Sequence, residues 1–256
     1  MRNYWVRFLV VSVALLSSAC TTEVIRPGAD LKKAAEANAK LGVGYMRQGN
    51  YELAMAKLKK ALKFDEENPR AHHYTAELFR RLGENEKAEQ HFKKAIELDP
   101  NDTNIQNNYG VFLCDLGRYK TADKHFEKVL ENPLYTTRSK VYENIGLCAK
   151  RKGDLKRAEQ NFHKALVMNP RLSKSLFEMA KLSFDQGDKE LSYNYYQRFL
   201  KVSKQNAQSL WLGVLLEKGR GNTTKAASYS LLLRKRFPLS KEAKLAKQLK
   251  IKNRRR

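Results

Sequence analysis

Reactive side chains are few in this chain, and their spacing is more informative than their number. The 256 residues include three cysteines, Cys20, Cys114 and Cys148, and five histidines, His72, His73, His91, His125 and His163. A zinc protease, a serine hydrolase, a phosphate-binding loop or a dithiol redox centre would each need its own local pattern: HExxH, GxSxG, a glycine-rich loop ending in lysine, or CxxC. None of these occurs. The histidines are scattered, and His91 and His125 are expected as surface residues of separate helices. No metal site, cofactor, catalytic residue or small-molecule substrate is therefore expected. Two spacings are nevertheless regular: Cys114 and Cys148 are 34 residues apart, and so are His91 and His125.

The same interval organises the whole chain. Gly49, Gly83, Gly117, Gly153, Gly187 and Gly221 are separated by 34, 34, 36, 34 and 34 residues. Five residues after each stands a small one: Ala54, Ala88, Ala122, Ala158, Ser192 and Ala226. A 34-residue period is the signature of a stacked helix-turn-helix array. With the glycine as position 15, the second unit shows the logic, with Ala76 at position 8, Phe79 at 11, Ala88 at 20, Phe92 at 24, Ala95 at 27 and Pro100 at 32. Small residues let the two helices of a unit approach, and the aromatic fills the space between them. The glycine accepts the turn, and the proline ends the second helix.

This set resembles the tetratricopeptide repeat. The expected fold is all-α: a superhelical tetratricopeptide-repeat array of six helix-turn-helix units with a C-terminal capping helix. The units fall at about 35–68, 69–102, 103–138, 139–172, 173–206 and 207–238, within an array of 32–238. Two extra residues near Pro133, Leu134 and Tyr135 predict an irregular third junction. The fifth unit is degenerate, and the first helix of the sixth is ambiguous by one residue. Residues 239–251 read as an amphipathic cap and 239–256 as cap plus basic tail. Such an array offers a groove, so an adaptor is expected and not an enzyme.

The N-terminus reads as an export signal, with Arg2 and Arg7, an apolar run from Phe8 to Leu16, and Ser17-Ser18-Ala19 before Cys20. The run is too short to cross a membrane. Leu15 to Cys20 resembles a bacterial lipobox, departing from it at Ser17, where a large aliphatic residue is usual. The resemblance implies cleavage after residue 19, lipidation of Cys20 and, with Thr21 following, sorting to the outer membrane. Residues 20–31 then form a lipid-anchored tether, of which the ten residues from Thr21 to Asp30 reach at most about 35 Å. Net charge is +23, or +21 without residues 1–19. Lys and Arg read as spread over exposed helical positions. That leaves either a solvated basic surface or an anionic partner or membrane; export argues against nucleic acid.

In tetratricopeptide arrays the first helices line the concave face, with positions 2, 5, 9, 12 and 13 turned into it. In the first unit these positions include Ala39, Val43, Met46 and Arg47. The first three form an apolar strip, either open to an amphipathic partner or covered by Leu31 and the leading segment. Further units present His73 and Glu77, then Asn104, Asn107 and Val111, then Glu143 and Leu147. Asparagines there suit a peptide backbone, since each amide donates and accepts; a plain solvated face would look the same. Cys114 and Cys148 lie on first helices of adjacent units. With Cys20 lipidated, their parity suits one disulfide in an oxidising periplasm, and two buried thiols are the alternative.

Asn107-Asn108-Tyr109-Gly110-Val111-Phe112-Leu113-Cys114, set in a six-repeat lipoprotein of this length, resembles the type IV pilus biogenesis and stability lipoproteins, the PilW/PilF pilotin family. That resemblance implies a non-catalytic role in outer-membrane localisation, multimerisation or stability of the pilus secretin. The implied partners are the secretin and, through the N-terminal lipid, the outer membrane. The alternative is another outer-membrane tetratricopeptide lipoprotein, serving β-barrel assembly or cell-wall enzyme recruitment.

Overall fold

The computed structural model of the protein describes residues 27–249. The export signal, Cys20 and most of the tether lie outside the described residues, as does the basic tail from Lys250. Among the described residues there are thirteen α-helices in six pairs and a final single helix. The pairs are α1 (Pro27–Arg47) with α2 (Tyr51–Phe64), α3 (Pro69–Leu82) with α4 (Asn85–Leu98), and α5 (Thr103–Asp115) with α6 (Tyr119–Glu131). There follow α7 (Arg138–Lys152) with α8 (Leu155–Met168), α9 (Ser173–Asp185) with α10 (Lys189–Leu200), α11 (Ala207–Gly219) with α12 (Thr223–Arg236), and α13 (Lys241–Gln248). The first helix begins at Pro27, so the expected tether is helical over its last residues. Proline suits a first helical turn, where its missing N–H has no helical partner in any case.

Each pair closes the same way. The six glycines of the period have φ between 75° and 89°, a region that other residues enter at a cost. At Gly83, its own N–H donates to the Arg80 carbonyl and the following Glu84 N–H reaches back to Phe79 at 3.0 Å, a Schellman closure. Asn50, Asp154, Asp188 and Asn222 then cap the second helices with their side chains. The helices of a pair are held by small-on-large contact. A Cβ added at Gly110 or Gly146 would stand 2.8 or 2.7 Å from the ring of Phe126 or Phe162. The sixth unit inverts the order, with Val214 at position 8 and Ser230 at position 24, both buried.

Among the described residues the hydrophobic core runs through the stack from Ala35 to Ala246. The third junction is irregular as expected, a six-residue connection in which Leu134 is 86% exposed. At the end, α13 buries Ala243 and Ala246 against Leu210 and Leu233. It packs on both α11 and α12, as α3 packs on α1 and α2, and so closes the last apolar face.

Candidate protein-docking site

The first helices of the early repeats lie directly against one another: α1 on α3, α3 on α5, α5 on α7. That close approach decides the fate of the expected groove residues. Ala39 and Met46 are 1% and 4% exposed, packed with Leu58 of α2 and Ala71 and Leu78 of α3. The apolar strip is therefore core, closed by the next repeat and not by Leu31, which is 47% exposed. Val43 stays half-buried beside it and Arg47 is exposed.

The polar candidates of position 5 bind the neighbouring repeat. The Asn108 amide donates to Nε2 of buried His73 at 2.8 Å, and the Asn144 amide donates to Oδ1 of Asn107 at 3.1 Å. Buried Glu143 accepts from the N–H and hydroxyl of Ser175, at 3.1 and 2.8 Å, and pairs with Lys140. These contacts form a polar ladder from α3 to α9, which satisfies groups that would be costly to bury alone. Glu77 binds Arg80, which also reaches Asp115, and Arg151 meets Asp115 from the next repeat. Of the sequence candidates, Asn104 remains exposed, and Val111 and Leu147 are half-buried. Cys114 and Cys148 are joined in a disulfide with Cα atoms 5.7 Å apart.

Four of the five histidines are also structural, and His163 is exposed. His72 Nε2 lies 2.9 Å from the Glu66 carbonyl, which only accepts, so this nitrogen carries the proton. Its Nδ1 then accepts from Nδ1 of His91 at 2.9 Å. Burial, and secondarily His72, lowers the His91 pKa to about 4. Burial also lowers His73 and His125, the latter bonded to Gln106 at 2.6 Å. His91 and His125 are thus half-buried links between paired helices, correcting their reading as surface residues. No group of His, Cys, Asp and Glu among the described residues could hold a metal.

In the later repeats the first helices pack less extensively on one another. Helix α9 meets α7 through the Glu143–Ser175 hydrogen bonds and the Lys150–Glu178 ion pair, without the broad contact seen between α1, α3, α5 and α7. Between α9, α11 and α13 opens a cleft of about 370 Å³, walled by Phe177 and Phe184, by Trp211 and Leu215, and by Leu245. Lys181, Asp185, Lys241 and Glu242 edge it, giving charges of both signs around an apolar floor. Phe177, Lys181, Phe184, Trp211 and Leu215 occupy positions 5, 9 and 12 of units five and six. The positional rule applied to the first four units finds them when carried to the end of the array. Two larger hollows flank α8; Lys156, Gln160 and Lys164 line both, and Met179, Leu191 and Tyr195 add apolar wall to the larger.

Charge divides along the same line. Residues 35–138 hold 17 Lys and Arg against 16 Asp and Glu, whereas residues 139–249 hold 23 against 9. The basic excess is thus concentrated in the second half of the array, not spread evenly.

Paired helices with glycine turns, stacked on a continuous core with an open face of first helices, define a tetratricopeptide-repeat protein. The tetratricopeptide repeat family matches at residues 45–107, 91–124 and 139–171. The chain belongs to the PilF/PilW family of type IV pilus biogenesis proteins. It is 34% identical over 210 residues to the type IV pilus assembly protein PilF of Pseudomonas aeruginosa, covering 82% of this chain and 83% of that one. The solved structure of P. aeruginosa PilF superposes with a TM-score of 0.76 at 33% identity, over 86% of this chain and all of that one. PilW, described as a widely conserved type IV pilus biogenesis factor, superposes with a TM-score of 0.73 at 30% identity, over 82% and 97% of the two chains.

Proposed function

We propose that this protein is an outer-membrane lipoprotein of type IV pilus biogenesis that acts as a pilotin. In this reading Cys20 carries the lipid and the array faces the periplasm. The array holds a segment of the pilus secretin and so raises its local concentration where multimers form. No chemistry is involved; the work is tethering and binding. The observation that carries the reading is the cleft between α9, α11 and α13 in a chain of the PilF/PilW family. It is the place on the face of first helices where aromatic side chains remain half-open and not spent on the next repeat. An apolar segment of the partner would fill the Phe177–Trp211–Leu215 floor, with its polar groups meeting Lys181 and Asp185 at the rim.

A strain lacking the gene tests this reading. Unboiled outer-membrane fractions are immunoblotted for the heat-resistant secretin multimer. Loss of multimer with accumulation of monomer is the expected result. Persistent multimer with loss of surface pili would move the role to the stability of the finished pilus. Normal multimers and normal pili would overturn the pilus reading in favour of another envelope scaffold.

A further inference from the structure

The far end of the array carries charge that the fold does not use. From Lys218 to Leu249 there are nine Lys and Arg and one acid, Glu242. Two of the nine are neutralised, Lys225 by Glu217 and Arg220 by Glu190. Arg234, Lys235 and Arg236 close α12, and Lys241, Lys244 and Lys247 follow on α13. All six are exposed. None of them enters an ion pair among the described residues. Elsewhere in the array, cations such as Arg80, Lys87, Lys93, Lys94 and Arg118 have acidic partners.

Apolar side chains protrude among these cations. Leu239, in the connection from α12 to α13, is 90% exposed, more than any other large hydrophobic residue described. Leu231 is 60% exposed and lies one turn before Arg234 and Lys235, on the same face of α12. Helix α13 is fixed with its lysines outward, because Ala243 and Ala246 are its buried side. Isolated leucines standing clear of the surface amid unpaired cations suit a bilayer interface, where the apolar tips enter and the cations meet phosphates. A nucleic acid would use the cations but gain nothing from Leu239. An acidic protein would likewise use the cations and leave Leu231 and Leu239 standing in water.

We propose that the C-terminal end of the array is a membrane-contact surface for anionic phospholipid. Leu231 and Leu239 enter the headgroup region, while the six cations of α12 and α13 face the phosphates. This inference needs neither the secretin nor the lipid on Cys20. If that lipid holds the other end, two attachments lay the array along the membrane.

The test uses residues 27–256, which contain the whole core, and sedimentation with vesicles of phosphatidylglycerol and phosphatidylethanolamine or of phosphatidylcholine alone. Binding is expected to the first and not to the second. Arg234→Gln, Lys235→Gln and Arg236→Gln together should weaken it about 100-fold, at roughly fivefold per cation. Leu231→Ala with Leu239→Ala should weaken it about tenfold at unchanged charge. Lys59→Gln, Lys60→Gln and Lys63→Gln on α2 should leave binding within about twofold, since they lie off the proposed surface. Equal binding to phosphatidylcholine, no binding to either vesicle, or equal loss from the α2 variant would overturn the proposal. So would unchanged binding of the leucine variant with vesicles displaced by duplex DNA, which would mark a general polyanion site.

Discussion

The first three repeats and the last three are built from the same unit and put it to different uses. In the early repeats the first helices touch, and their facing residues, Ala39, Met46, His73 and Asn107, are spent on the next repeat. Charge there is nearly balanced, with 17 Lys and Arg against 16 Asp and Glu over residues 35–138. In the late repeats the first helices pack less closely along their length, aromatic side chains line a cleft, and the cations that close α12 and lie on α13 have no acidic partner among the described residues. Repetition thus supplies one core while leaving each interface free to be either cement or surface. In the proposed reading the early half is scaffold and the late half the recognition end. The disulfide between Cys114 and Cys148 sits at the border and ties the two together.

The comparison breaks most visibly if stability is not lodged where the ladder is. Phe126 is fully buried against Gly110. Phe126→Ala should lower the unfolding free energy by about 3–5 kcal/mol, read by urea titration, whereas Trp211→Ala at the half-open cleft should cost about 1 kcal/mol. Equal losses would make the cleft part of the core. Next in size is the disulfide, which closes 34 residues. Replacing both cysteines with serine should remove about 2–4 kcal/mol and increase amide exchange across repeats three and four.

A smaller effect is expected at the ladder. Asn108→Ala strands buried His73 and should cost about 1–3 kcal/mol, with the fluorescence of Trp211 in the cleft unaffected. The gentlest test is pH. His73, His91 and His125 have pKa values lowered by burial, His91 to about 4 from 6.5. The unfolded chain therefore takes up protons at higher pH than the folded one. Their contribution to stability is complete above about pH 6.5 and is lost as pH falls toward about 4. All three lie in repeats two and three, so at about pH 5 hydrogen exchange should rise there before it rises in repeats five and six. His91→Gln should flatten that response, and a uniform rise along the array would erase the distinction between the halves.

Much of this was legible in the sequence. The glycine period fixed every turn, because a positive φ at position 15 is a local backbone demand. The small-large alternation gave the pairing of helices, and the amphipathic run after Leu239 gave the cap. What failed was the assignment of the groove. Position 5 points toward the face of first helices and also toward the next repeat, and only the distance between those helices decides which. His73 and Glu143 look like binding groups in a list of types and are buried in the stack. The cleft was missed for the opposite reason: Phe177 and Trp211 obey the same positional rule, but they belong to the repeats that match the pattern least. The charge division was present as a count, and it becomes meaningful only when ion pairs show which cations are already used.

The central claim is that recognition belongs to the late repeats. Its direct test is a binding titration of the purified array with the periplasmic part of the secretin, using two variants that both fold. The account predicts that Trp211→Asp abolishes binding, while Val43→Asp, in the early half, binds as the unaltered chain does. Binding lost with Val43→Asp and kept with Trp211→Asp would contradict it and return the site to the first repeat.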